Sequence, residues 1–253
     1  MSLKPLCECC DLAQPVQSGR RNWLKKAGAG SGAALMATLG LHAGEAGAAS
    51  LSQAERDAMT PDQVIANLKR GNQRFLSGKV QKHDYRAQKR ASAAGQYPAA
   101  VILSCIDSRA PVEIILDAGI GDTFNARVAG NISTRELLGS MEFACAAAGA
   151  KVVLVMGHTA CGAIKGAIDN VELGNLTGLL ELIKPSVAAT DYAGARTSAN
   201  AEFVDAVAAT NVRRTVDAIR SGSPTLAALE KDGKIKMLGA MYSVSTGQVS
   251  FLA

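Results

Sequence analysis

Two apolar runs constrain this chain more than any other feature of it. Ala99-Ala100-Val101-Ile102-Leu103-Ser104 and Lys151-Val152-Val153-Leu154-Val155-Met156 show no polar alternation. A strand with one wet face alternates polar and apolar residues, so these runs belong to strands covered on both faces, as in a parallel sheet. Helical patterns lie between and around them. Thr60-Pro61-Asp62-Gln63 combines an N-cap, a proline at the first helical position and a capping-box glutamine. It opens a helix in which Val64, Ile65, Leu68, Phe75 and Leu76 recur at helical spacing to about residue 76. Ser133 to Glu136 reads as a second capping box, opening a helix with Leu137, Leu138, Met141, Ala144 and Cys145 on one stripe. Residues 77–96 read as a polar stretch, and further helices are expected at 176–190, 199–221 and 225–231. Further strands are expected at 122–128, 235–243 and 249–252, the last two joined by the turn Ser245-Thr246-Gly247-Gln248. The alternation predicts a single α/β domain: a mostly parallel twisted sheet, helices on both faces, and a short antiparallel edge strand.

Composition excludes several functions. With 48% hydrophobic and 19% charged residues, the 253-residue chain can bury a core and is not disordered. Aromatics at 4%, a net charge of only +5 and no Lys/Arg block outside the N-terminus argue against nucleic acid as a partner. Six cysteines are too few for a disulfide scaffold, so each is judged by its neighbours.

The first 48 residues differ from the rest. Cys-Glu-Cys-Cys at 7–10 precedes Gly19-Arg20-Arg21-Asn22-Trp23-Leu24-Lys25-Lys26, then a weakly apolar run from Ala27 to Leu41 and the small residues Ala46-Gly47-Ala48. The apolar run falls short of the roughly 20 residues that cross a bilayer, so no stable membrane anchor is expected. A basic start, a short apolar run and a small-residue site describe an export signal. The paired arginines resemble the twin-arginine type, which implies passage through an export machinery to the periplasm or beyond. A basic tail without an address is the alternative. Cleavage after Ala48 would leave residues 49–253 with a net charge of +3 and remove Cys7, Cys9 and Cys10.

Nearly all the reactive side chains follow the two apolar strands, where open α/β sheets bind their ligands. The first strand ends in Cys105-Ile106-Asp107-Ser108-Arg109, the second in Gly157-His158-Thr159-Ala160-Cys161-Gly162. A single buried cysteine is usually a small hydrophobe, and Cys145 is read that way. Together, Cys105, His158 and Cys161 offer two thiolates and an imidazole, a donor set suited to Zn²⁺ with one tetrahedral position open, as catalytic zinc requires. Two thiolates offset the metal's charge and should leave its water less acidic than three neutral ligands would. Asp107 can accept a hydrogen bond from that water while Arg109 holds the carboxylate bidentately. Released, Asp107 would become a fourth ligand and close the site. His42 and His83 are poor ligand candidates.

C-x-D-x-R followed some fifty residues later by H-x-x-C, here Cys105, Asp107, Arg109, His158 and Cys161, resembles the motif pair of the β-class carbonic anhydrases. Leu68-Lys69-Arg70-Gly71-Asn72-Gln73-Arg74-Phe75, Gly121-Asp122-Thr123-Phe124 and Ala129-Gly130-Asn131 extend the likeness over nearly all of 49–253. The resemblance implies one zinc per chain and reversible hydration of CO₂, zinc hydroxide attacking the carbon and bicarbonate leaving. Gln96, Phe124 and Phe143 match the plant-like branch, in which such residues line the substrate pocket from across a dimer interface. A homodimer or higher even oligomer is therefore implied, with Gly162 offering backbone polarity to the substrate. Core packing is the alternative for both phenylalanines. Ala110 stands where the family carries a bulkier residue, a change that could loosen the pocket rim. Hydrolysis of carbonyl sulfide or carbon disulfide is the enzymatic alternative, and a zinc-stabilised bicarbonate-binding module without turnover the non-enzymatic one.

Overall fold

The computed structural model describes residues 50–252, so the reading of an export signal in residues 1–48 lies outside the described part. Three helices lead in: α1 (Gln53–Ala58), α2 (Pro61–Leu76) and α3 (Tyr85–Ser92). There follow β1 (Ala100–Ser104), α4 (Val112–Ile115), β2 (Thr123–Arg127), α5 (Arg135–Glu142) and β3 (Val152–His158). The chain then runs through α6 (Gly162–Ile168), α7 (Gly174–Glu181), α8 (Lys184–Ala189), α9 (Ala201–Gly222) and α10 (Pro224–Lys231) to β4 (Lys236–Tyr242) and β5 (Val249–Phe251). The sheet order is β2-β1-β3-β4-β5, parallel except for the final β4/β5 pair. The expected fold class holds.

Every residue of β1 and β3 is buried, as the absence of alternation required. Successive side chains of a strand point to opposite faces, so each run feeds two cores. Ala100, Ile102, Val152, Leu154 and Met156 meet Val64, Leu68, Val112 and Ile115 on one face. Val101, Leu103, Val153 and Val155 meet Met141, Val212, Val216 and Ile219 on the other. A third cluster, with Ile132, Ile164, Leu180, Ile183 and Phe203, surrounds Cys105 and Cys161 at the carboxyl end of the strands. The edge strand β2 is only partly covered.

The local start signals divide. The Thr60/Gln63 capping box forms as read, with the Thr60 hydroxyl accepting from the Gln63 N–H and the Gln63 side chain from the Thr60 N–H. The expected box at Ser133 does not. The N-cap of α5 is Thr134, which places Leu137, a residue without an acceptor, at the third helical position. The single helix expected at 176–190 is two. Pro185 lacks the N–H that a continuous helix would need there, and the chain restarts at Lys184. The polar stretch hides α3, whose N-cap Asp84 accepts from the N–H groups of Arg86 and Ala87. Only Gln88 of that helix is buried, so no apolar period announced it.

Helix α2 approaches the end of α4 so closely that a Cβ on Gly71 would overlap the carbonyl of Leu116. Gly to Ala within a helix ordinarily gains about 1 kcal/mol. Gly71→Ala is expected to lose roughly 1–3 kcal/mol instead, because the obstacle is backbone and cannot rotate away. Urea unfolding of the two proteins measures the sign, and a stabilised variant would contradict the packing described.

Candidate metal centre

The chain leaves β1 towards β2 on one side and returns to β3 on the other, so the loops after β1 and β3 flank the point where the strand order reverses. Both loops begin at a buried strand end, which holds their first residues rigidly. Cys105 follows Ser104, the last residue of β1, while His158 ends β3 and Cys161 caps α6. The ligand atoms of these three buried residues lie within 4.8 Å of one another, and among the described residues they form the one such His/Cys/Asp/Glu group.

The donor set fits a metal. The Thr159 carbonyl can only accept, so His158 Nδ1, 2.9 Å away, carries the proton and donates. That leaves Nε2 facing inward, buried and without a hydrogen-bond partner. An orphaned buried imidazole nitrogen is costly unless something occupies it. The two sulfurs lie 4.0 Å apart. Hydrogen bonding from Cys161 draws the Cys105 thiol well below its ordinary range, and the same contact, with burial, pushes Cys161 above it. Burial alone would lower His158, but the charge of Cys105 beside it raises it.

Beside the cluster, Arg109 grips Asp107 with Nε on Oδ1 at 2.9 Å and Nη2 on Oδ2 at 2.8 Å. This pairing holds the Asp107 carboxyl well below the usual carboxylate range, against the opposing effect of burial. Asp107 Oδ2 stands 3.8 Å from His158 Nε2, too far to bond it and close enough to share a small ligand with it.

The structure adds two residues that no motif singled out. Arg127, the last residue of β2, donates from Nε to the Cys105 carbonyl at 2.9 Å and from Nη2 to the Asp107 carbonyl at 2.6 Å, clamping the first loop. Asp205 on α9 accepts the Ala160 N–H at 2.9 Å, while Arg109 Nη2 reaches the Ala160 carbonyl at 3.4 Å. Ala160 has φ 55°, a left-handed conformation that alanine adopts only when held. A basic residue ending a strand or an acid on a helix has no sequence signature, so only the spatial contact reveals either role.

The remaining candidates lie elsewhere in the chain. Gln96 is exposed before the amino end of β1, and the five strand residues to Cys105 alone span about 16 Å. Phe124 and Phe143 meet edge to face at 6.0 Å between ring centroids. They line a groove of about 410 Å³ along β2 with Val101, Glu136 and Gly139. Within one chain these three do not join the cluster. Gly162 is exposed, and a Cβ on it would meet nothing. Ala110 is buried in the core cluster that includes Val64 and Leu68 of α2. Cys145 is the core residue expected, its thiol pushed up to about 12 by burial. His83 bonds Asp117 at 3.0 Å, far from this centre in sequence and structure.

Residues 100–249 match the carbonic anhydrase family. The chain belongs to that family. It is 34% identical over 187 residues to carbonic anhydrase 2 of Mycobacterium tuberculosis, covering 72% of this chain and 87% of that one. A carbonic anhydrase of Mycolicibacterium smegmatis is 31% identical over 188 residues, covering 72% and 88%. Among solved structures, a β-carbonic anhydrase of Aspergillus fumigatus superimposes with a TM-score of 0.58 at 25% identity, over 76% of this chain and 89% of its own. One of two tetrameric β-carbonic anhydrases of Sordaria macrospora gives 0.56 at 26% identity, over 64% and 83%. The carbonic anhydrase is thus of the β class, and its activity is the reversible hydration of CO₂.

The loop anchors set a test within this enzyme. Asp205→Ala removes the acceptor of the Ala160 N–H and is expected to destabilise by about 1–3 kcal/mol. An added Ala160→Gly, which tolerates the left-handed backbone without support, should recover part of that loss. Thermal unfolding of the single and double variants measures both, and no loss in the single variant would remove Asp205 from the site.

Proposed function

We propose that this carbonic anhydrase holds one zinc ion per chain on Cys105, His158 and Cys161 and is a plant-like member of the β class. One observation carries the reading: two cysteine sulfurs and an orphaned histidine Nε2 converge within 4.8 Å beside a carboxylate that Arg109 keeps engaged. Zinc bound there supplies the Lewis acidity that makes water nucleophilic at neutral pH. The chain supplies orientation. Asp107 accepts a hydrogen bond from the reacting water and directs its lone pair outward. Arg109, by bonding both carboxylate oxygens, keeps Asp107 from binding the metal itself. Burial of the cluster in apolar surroundings limits competing water, and Gly162, bare of a side chain, leaves room for a small nonpolar substrate.

Gln96, Phe124 and Phe143 complete the pocket from a second copy. The partly covered edge strand β2 supports this, since one side of it has no strand neighbour among the described residues. Two copies joined antiparallel along β2 would bring the amino end of one β1, with Gln96, to the same end of the joined sheet as the partner's metal centre. Gln96 would then donate to a CO₂ or bicarbonate oxygen, with the two phenylalanines as apolar wall. The assembly is a homodimer or a larger even oligomer. Residues 1–48 act as a twin-arginine-type export signal, and the processed enzyme works in the periplasm or beyond. No helix among the described residues is long and apolar enough to cross a membrane.

Stopped-flow CO₂ hydration with metal analysis tests the centre. Cys105→Ala should lose both zinc and activity, whereas Asp107→Asn should keep zinc and lose about 10²-fold or more in kcat. A folded, fully zinc-loaded protein inactive on CO₂ but active on carbonyl sulfide would replace the substrate. Mixing Gln96→Ala chains with Cys105→Ala chains tests the shared pocket: mixed dimers regain one complete site, so activity should rise above that of either variant. Mixed dimers without any rise would return Gln96 to its own chain.

A further inference from the structure

Helix α9 reaches beneath Cys105 with a buried amide whose two ends are both engaged. Asn211 is 2% exposed; its Nδ2 donates to the Gly130 carbonyl at 2.7 Å, and its Oδ1 accepts from the Ser186 hydroxyl at 3.0 Å. Ser186 on α8 is equally buried, and its own carbonyl accepts from the Thr190 hydroxyl at 2.7 Å. The orientation of the amide is thereby determined.

Gly130 is the other end of this chain of contacts. Its N–H points to Cys105 Sγ at 3.4 Å, while its backbone has φ 69° and a Cβ there would strike Ile183. Glycine takes this left-handed backbone without strain, yet it has the least intrinsic preference for any one conformation, so an outside bond is needed to hold it. Asn211 is that bond on the carbonyl side. The N–H it keeps aimed at the sulfur draws electron density from the lone pair that Cys105 would offer a metal, in the way outer partners tune first ligands.

We propose that Asn211 is a positioning residue of the metal centre, holding Gly130 so that its N–H stays on the Cys105 sulfur and sets that sulfur's donor strength. The proposal rests on the zinc reading above. It concerns a residue that touches neither metal nor substrate, so its test reads the sulfur directly. The full chain is purified as wild type, as Asn211→Asp, which keeps the shape but replaces the donor by an acceptor, and as Ile219→Val, a core change on the same helix. Zinc affinity is measured by chelator competition, and the sulfur-to-metal charge-transfer band is recorded after cobalt substitution.

Asn211→Asp is expected to bind zinc about 10-fold or more weakly, because the sulfur, no longer held in place through Gly130, loses more in placement than it gains in donor strength. Its cobalt band should move to longer wavelength, because a sulfur without the N–H gives up an electron more easily. Ile219→Val should lower the melting temperature and leave band and affinity as in wild type. Unchanged affinity and band in Asn211→Asp would overturn the proposal, as would a loss shared by Ile219→Val in proportion to its melting temperature. Should Asn211→Asp not fold, Ser186→Ala, which frees the amide to turn, decides by the same two readouts. A wild-type chain that takes up neither zinc nor cobalt overturns the metal reading itself, an outcome distinct from a metal-loaded chain indifferent to Asn211.

Discussion

The register between β1 and β3, with Ser104 opposite Met156, decides where every reactive group ends up. It places Cys105 one step beyond the last pair of β1 and lets β3 run on to His158, so that sulfur and imidazole emerge side by side. Slipping either strand by one residue would send its side chains to the opposite faces, exchanging the contents of two apolar cores and turning Cys105 away from His158. The cost of that exchange is what locks the register. Sheet burial and ligand geometry are therefore one constraint: the same uninterrupted apolar residues that demand cover on both faces also align the metal ligands.

Around this alignment the site is built of groups that lack complete partners on their own. Two cysteine sulfurs and an imidazole with one bare nitrogen are brought together in an apolar pocket, where isolated charge and unbonded polar atoms are costly. A divalent cation would answer all three at once. The surrounding backbone is held in conformations it would not choose unaided, left-handed at Gly130, Asn131 and Ala160, and the restraints come from β2 through Arg127 and from α9 through Asp205 and Asn211. Helix α9 thus serves as the stiff support for both ligand loops as well as a wall of the core.

Much of this was legible in the chain. The apolar runs at 99–104 and 151–156 named two central strands, and the Thr60/Gln63 box named the start of α2, because in each the determining contacts are local or purely a matter of burial. Reading Ser133 as a cap failed by one residue, since a cap depends on which backbone torsion turns helical first, and here Thr134 is the last extended residue. Helix α3 was missed because a surface helix with one buried residue carries no apolar period. Cys105, Asp107, Arg109, His158 and Cys161 were legible because their residue types are uncommon at strand ends. Arg127, Asp205 and Asn211 were not, because arginine, aspartate and asparagine are ordinary on strands and helices until a backbone atom from another element comes within reach.

By itself, then, the sequence determined the fold class and the identity of the reactive groups, since both follow from residue type and spacing along one dimension. Tertiary structure alone decided their mutual geometry: the 4.8 Å convergence and the separation of Gln96, Phe124 and Phe143 from the cluster within one chain. The physical reason is that Cys105 stands more than fifty positions from His158 and Cys161, and the distances between the two loops are set by strand register and helix packing, which no local pattern encodes. The groove on the β2 edge makes the same point at the next level, where the sheet formed by the described residues stops with one side of β2 unpaired.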